Sequence, residues 1–378
     1  MKITVDRNMP LASEAFATLG DVQVVDGRTL RPEDLKDTTI LAIRSTTKVN
    51  AALLAQTAVQ FVGTATIGTD HMDIPFLEQR GIQWAYSPGC NARSVAEYMT
   101  AALLHIAVTH NQPLTGQTLG IIGVGNVGRR VATQAQALGM RVLQNDPPRA
   151  RAEGSEGFCK LEQLLRESDF ISMHVPLERK GQDATFHMAN QHFFEQIKPG
   201  AFFVNAARGA IVDTAALLEA LDTGRICGAV IDTWEGEPTI SQELRERVIL
   251  GTPHIAGHSY EGKLNGTLMV YDAACRFLHR NPQFDAHPHM PAPPLPTIAF
   301  PDGHTEAEAY NKLIKAIYDI AADDARLRAA QAEPTGFDAL RRNYPIRREF
   351  ACTCVTDIPD SKHSQKVQNL GFQRAPTP

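Results

Sequence analysis

Gly123-Val124-Gly125-Asn126-Val127-Gly128 is the stretch whose reading decides the fold. It follows Leu119-Gly120-Ile121-Ile122, an apolar run with the composition of a buried strand, and precedes Arg129 to Leu138, whose pattern is helical. Asp146 ends the next apolar run, about 20 residues further on. Strand, three-glycine turn, helix and then an acidic residue is the order that holds a dinucleotide. Gly123 permits the tight turn, Gly125 lets a pyrophosphate approach the main chain, and Gly128 lets helix and strand pack closely, with Asn126 and Val127 filling the turn between. The unpaired N–H groups at the helix start face the phosphates. Asp146 is placed for the ribose hydroxyls and would repel a 2′-phosphate, so NAD is expected over NADP. Arg149, three residues later, is the one feature that could meet a 2′-phosphate instead.

Outward from this turn, short apolar runs alternate with helical patterns, as in a parallel α/β sheet. Ile40–Ile43, Gln60–Gly63, Phe170–Met173, Ala201–Val204 and Gly228–Ile231 are strand candidates, and Met1 to Val5 reads as a strand entering a loop. Helical patterns run over Ser94–Val108 and from Asp213, a candidate N-cap, to Leu221. Three residues follow later strands: Arg208 after Val204-Asn205, Glu237 after Ile231-Asp232, and His254 in the turn-rich Leu250 to Gly257. Ligands gather at such strand ends in open α/β sheets. Oxidising a 2-hydroxy acid needs a cation for the carboxylate, a base for the hydroxyl proton and a hydride acceptor. Arginine's fork suits the first task. Histidine suits the second, with a glutamate to orient it and stabilise the imidazolium.

The length of 378 residues allows two to three domains of about 150 residues. A charge sum of 37 − 42 = −5 speaks against a basic nucleic-acid binder or a partner of acidic membranes. No apolar run reaches the roughly 20 residues of a membrane span, and the start lacks a signal-peptide pattern. Six scattered cysteines read as free thiols in a reducing cytoplasm, with Cys352 and Cys354 on alternating positions of one strand. Asp70-His71-Met72-Asp73 reads as a helix cap rather than a metal cluster, and no metal is expected. Asn281 to Pro301, dense in Pro and His, reads as a linker; beyond it come a helical pattern near Glu306 to Asp319, a basic patch at Arg341 to Arg348 and a fraying tail. Arg44-Ser45-Thr46-Thr47-Lys48 offers hydroxyls and a lysine as a phosphate cradle, or else Lys48 is simply a solvated charge.

The glycine turn, Asn205-Ala206-Ala207-Arg208-Gly209, Asp232-Thr233-Trp234-Glu235-Gly236-Glu237-Pro238 and Thr252-Pro253-His254-Ile255-Ala256-Gly257 together resemble the D-isomer-specific 2-hydroxyacid dehydrogenase family. The resemblance implies a Rossmann-type NAD domain (94–256) inserted in a flavodoxin-like substrate domain (1–93 and 257–285). Further likeness, at Arg44 to Asn50, Gly63 to His71, Pro88 to Ala92 and Asp323 to Glu349, is to a branch of the family acting on a small phosphorylated hydroxy acid. That branch implies a C-terminal α+β dimerisation domain (286–378) and a homodimer. By resemblance Arg208 binds the carboxylate and C2 oxygen, His254 is the base and Glu237 supports it. Asp146 holds the ribose, while Val175, Ala206 to Arg208, Asp232 and Gly257 line the NAD site. Ser45 and Thr66 touch substrate, and His258 stands where the branch has a tyrosine, an N–H replacing an O–H donor. Alternatives are the same chemistry on glycerate, lactate or 3-phosphoglycerate, or a non-catalytic NADH-sensing scaffold.

Overall fold

The computed structural model describes residues 1–330 and 334–375, so the end of the tail expected to fray, Pro376-Thr377-Pro378, lies outside the described residues. The chain forms two compact units: Met1–Ala92 with His258–Ala292, and Arg93–Gly257 with the residues from Pro293 on.

In the first unit β1 (Lys2–Asp6), β2 (Asp21–Val25), β3 (Thr38–Ile43), β4 (Phe61–Thr64) and β5 (Gln83–Ala85) pair in parallel in the order β2-β1-β3-β4-β5, the flavodoxin-like arrangement. The central strands are continuous apolar runs because helices cover both faces. Helix Tyr260–Phe277 is one of these, capped by the Ser259 hydroxyl. Its Val270 and Tyr271 join Ile3, Val5 and Phe16 in one core. Gly63 admits it: a Cβ there would lie 2.2 Å from Val270 Cγ1.

In the second unit β6 (Thr118–Ile122), β7 (Arg141–Asn145), β8 (Phe170–Met173), β9 (Ala201–Asn205), β10 (Ile226–Ile231) and β11 (Leu250–Gly251) form a parallel sheet ordered β7-β6-β8-β9-β10-β11. The strand order reverses at β6/β8, which makes the carboxyl edge there a ligand crevice. A smaller parallel sheet of β12 (Thr297–Ala299), β13 (Cys354–Thr356) and β14 (Gln373–Arg374) completes the unit.

Four expectations change. The C-terminal segment was expected to stand apart, but Tyr310, Leu313, Ile314, Phe350 and Val367 share a core with Tyr98, Leu103 and Val131. Its amphipathic helices complete that core instead of closing one of their own. The proline-rich linker contains a strand, β12, whose partner β13 lies more than 50 residues away. Arg347 and Arg348 of the basic patch are buried: Arg347 donates to Ser94 O (3.1 Å) and Ala256 O (2.6 Å) and stacks over Tyr318 at 4.3 Å. Cys352 ends a 3-10 turn, and only Cys354 is in a strand. Among the described residues no helix is long and apolar enough to cross a membrane.

Candidate active site

The three glycines of the turn after β6 have three different constraints. Gly123 has φ +88°, and a Cβ on it would lie 2.8 Å from the His174 carbonyl and from Val175 Cγ1, which brings Val175 against the turn. A Cβ on Gly128 would sit 2.1 Å from Gly123 O, so helix and strand pack directly. A Cβ on Gly125 would meet nothing within 4 Å. That open side is where a pyrophosphate can reach main-chain N–H groups ahead of helix Gly128–Ala137. His174, beyond β8, has its Nε2 2.7 Å from Ser172 Oγ, and burial pushes it down to about 3, so it is neutral.

Asp146 ends β7, where its Oδ2 accepts from Val124 N (2.8 Å) and its Oδ1 from Arg149 N (3.1 Å). The carboxylate thus ties the glycine turn to the next helix while facing the crevice. Arg149 is not available for a 2′-phosphate. Its Nη1 donates to Val124 O (2.6 Å), and its Nε and Nη2 hold Glu153 at 2.8 and 2.5 Å. Glu153 adds a second negative charge that a 2′-phosphate would have to meet. The residues present fit NAD.

Asn205, at the end of β9, shapes the turn that presents Arg208. Its Nδ2 donates to Arg208 O (3.1 Å) and its Oδ1 accepts from Ala207 N (3.1 Å). Gly209 is where this turn meets the next one, because a Cβ on it would fall 1.9 Å from Trp234 O. The Arg208 and Trp234–Glu237 turns are therefore in direct contact.

Glu237 and His254 form the dyad expected of them. His254 Nδ1 lies 2.7 Å from Glu237 Oε2, and Glu237 Oε1 accepts from Trp234 N at 2.7 Å. A carboxylate only accepts, so Nδ1 carries a proton, and Nε2 is the nitrogen left to exchange one. Burial pushes the Glu237 carboxyl up, but the His254 charge and hydrogen bond, the Trp234 N–H and the charge of Arg341 outweigh it and hold it below its ordinary value. His254 itself has φ +54°, a left-handed backbone rare outside glycine and asparagine.

Asp232 is what imposes that backbone. Its buried carboxylate accepts from Thr252 Oγ1 (2.6 Å), Ile255 N (2.8 Å) and Ala256 N (3.0 Å), so it bridges both sides of the histidine. Asp232 thereby anchors the His254 turn. Thr252 spends its proton on Asp232, so Tyr98 OH donates to Thr252 at 2.8 Å. Trp234 Nε1 holds Thr252 O (2.9 Å), and Asp324, from the C-terminal segment, accepts from Gly251 N (2.7 Å). Asn205, Tyr98, Trp234 and Asp324 are the supports that sequence reasoning did not assign. Tyr98, Trp234 and Asp324 reach partners 154, 18 and 73 residues away, which leaves no local spacing to find, whereas Asn205 acts on the main chain of the turn just after it.

Glycine turn, Asp146, Val175, Ala206, Ala207, Arg208, Asp232, Glu237, His254 and Gly257 all belong to the second unit. Ser45, Lys48, Thr66 and His258 belong to the first. Ser45 and Lys48 are exposed in the turn after β3, but Thr47 of the supposed cradle is buried and donates to Gly27 O (3.0 Å). The cap expected near His71 is formed by Asp73, which accepts from Phe76 N at the start of helix Ile74–Gln79.

Residues 94–256 match the family described as D-isomer specific 2-hydroxyacid dehydrogenase, NAD binding domain, and residues 289–371 match a domain of unknown function. The chain is 44% identical to erythronate-4-phosphate dehydrogenase of Yersinia pestis over 98% of its own length and 99% of that protein's, and the same values hold for the Yersinia pseudotuberculosis protein of that name. Among solved structures, D-lactate dehydrogenase from Aquifex aeolicus, complexed with NAD and lactic acid, superposes with a TM-score of 0.60 at 26% identity, covering 73% of this chain and 95% of that one. D-2-hydroxyisocaproate dehydrogenase, at 24% identity and a TM-score of 0.62, covers 74% and 97% and shows the shared fold.

Proposed function

The chain belongs to the NAD-dependent D-isomer-specific 2-hydroxyacid dehydrogenases, with its full-length relatives among the erythronate-4-phosphate dehydrogenases, and from that premise we propose that it oxidises 4-phospho-D-erythronate at C2. The product is (R)-3-hydroxy-2-oxo-4-phosphooxybutanoate, a step toward pyridoxal 5′-phosphate. The observation that carries the chemistry is the 2.7 Å contact from His254 Nδ1 to Glu237 Oε2, because it leaves Nε2 as the base. The substrate itself is carried by likeness over nearly the whole chain, including the segment past Pro293.

Arg208 grips the substrate carboxylate and the C2 oxygen through its planar fork. His254 Nε2 takes the C2 hydroxyl proton as the C2–H electron pair leaves and the C2–O double bond forms. Glu237 stays ionised and stabilises the imidazolium so created. NAD, held by the glycine turn and Asp146, supplies the hydride acceptor. Ser45 and Thr66, together with His258 and Lys48, complete the substrate contacts. The C-terminal segment pairs with a second copy of the chain, as the family resemblance implies. A cytoplasmic enzyme, with its thiols reduced, fits the same reading.

The test is NADH formation from a panel of D-2-hydroxy acids. The expected result is a kcat/KM for 4-phospho-D-erythronate at least about 10²-fold above those for glycerate, lactate and 3-phosphoglycerate, since site groups built for a missing substrate group are left unpaired. Equal or better turnover of another acid overturns the assignment.

A further inference from the structure

The turn after β4 contains a hydrogen-bond chain whose polarity can be worked out proton by proton. Thr66 Oγ1 lies 3.1 Å from Gly68 O. A carbonyl oxygen can only accept, so the single Thr66 hydroxyl proton is committed to Gly68. Thr64 Oγ1 lies 2.7 Å from Thr66 Oγ1, and the proton between them must then come from Thr64. With that proton spent, the 2.9 Å contact between Thr64 Oγ1 and His71 Nε2 has to be filled by an Nε2–H of histidine. The chain runs one way: His71 N–H to Thr64, Thr64 O–H to Thr66, Thr66 O–H to Gly68.

The surroundings hold this order in place. Thr64 is fully buried, and Thr66 is half-buried. Ser87 holds the turn as well: its N–H donates to Thr66 O (3.0 Å), and its hydroxyl lies between Thr64 O (3.1 Å) and Gly266 O (3.0 Å). His71 O accepts from Val49 N at 2.8 Å, which fixes the histidine's own main chain. Burial pushes His71 down to about 4 against the nearby Asp70 charge, so the ring is neutral with one N–H. Donation of its own proton to Gly68 O leaves the Thr66 oxygen the better acceptor.

What Thr66 can offer a ligand follows from this count. Its proton is used and one lone pair receives Thr64, so a single lone pair remains. That lone pair repels a carboxylate or phosphate oxygen and welcomes an O–H donor. In 4-phospho-D-erythronate the C2 hydroxyl proton goes to His254, and the carboxylate and phosphate present bare oxygens. The C3 hydroxyl is the donor left over.

We propose that Thr66 recognises the C3 hydroxyl of the substrate as an acceptor, and that Thr64 and His71 are positioning residues that fix this polarity. The proposal rests on the reading of Thr66 as a substrate contact and adds to it which group is met and which partner donates. It makes this turn a specificity device for 2,3-dihydroxy acids.

The experiment compares kcat/KM for 4-phospho-D-erythronate and for D-2-hydroxy-4-phosphobutanoate, which lacks only the C3 hydroxyl. Both acids are assayed on the same preparation, so any unfolded fraction cancels in the ratio. The wild-type ratio is expected to be on the order of tenfold or more in favour of the hydroxylated acid. Thr66→Val should bring it to within about twofold of unity, while Thr66→Ser should keep it. His71→Gln, which can still present an N–H, should retain most of the ratio, and His71→Leu should lose it. If Thr66→Val lowers kcat/KM for both acids by one factor, the hydroxyl serves a group common to both; the acceptor role is then overturned and the substrate contact stands. If Thr66→Val leaves both acids unchanged, the substrate contact itself fails, and the proposal with it. A ratio that collapses in Thr66→Ser as well, or survives in His71→Leu, also overturns it.

Discussion

His254→Ala is expected to reduce turnover of 4-phospho-D-erythronate by about 10³-fold while leaving NAD bound with its affinity little changed. The loss is large because the imidazole is the group on the second unit's catalytic turn with its geometry already set for proton removal. Nδ1–H is committed to Glu237, the main chain is held left-handed by Asp232, and only Nε2 is left to act. Cofactor affinity is spared because the glycine turn and Asp146 belong to the opposite end of the sheet's carboxyl edge, after β6 and β7. Stopped-flow NADH formation and fluorescence titration with NADH separate the two effects. Glu237 adds a condition on pH. Its carboxyl is held below the ordinary 4.5, so it remains charged as the pH falls toward that value, and its contribution is lost only as the pH drops through its lowered value. Activity lost between neutrality and pH 5 is therefore not lost at Glu237.

Arg208→Gln is expected to lower kcat/KM by about 10³-fold, the equivalent of about 4 kcal/mol for two charge-assisted hydrogen bonds. Lysine keeps the charge but not the fork, so Arg208→Lys should recover only part of this, about tenfold. Asn205 and the packing of Gly209 against Trp234 O still hold the turn when the Arg208 Nη1 bond to Ala207 O (2.9 Å) is lost, so both variants should fold. An Arg208→Gln enzyme with wild-type kcat/KM would remove Arg208 from the carboxylate site. Steady-state kinetics alongside thermal unfolding provides the check.

Much of this was legible in the residues. The glycine turn announces itself because each glycine answers a local steric need, and Arg208, Glu237 and His254 can be found because each follows a strand by a few residues. What stayed hidden has a common physical cause. Asp232 works on main-chain N–H groups 23 and 24 residues away, and Asp324 on Gly251 from 73 residues away. Nothing in local spacing marks such partners. Arg347 and Arg348 read as part of a basic patch, yet Arg347 is buried because the carbonyls of Ser94 and Ala256 and the face of Tyr318 replace water around it. The strand Thr297–Ala299 lies in a segment whose prolines signal a linker; its prolines flank the strand rather than interrupt it. Thr47 was indistinguishable in sequence from its exposed neighbours Ser45 and Thr46 until its burial was seen.

The central claim is that this site moves a hydride from C2 of 4-phospho-D-erythronate to NAD while His254 takes the hydroxyl proton. The most direct measurement supplies substrate carrying deuterium at C2 and follows the label by mass spectrometry and NMR. Direct hydride transfer gives NADH with one deuterium at C4 of the nicotinamide and a 2-oxo acid with none. NADH carrying only protium at that carbon, or label appearing in solvent, would contradict it.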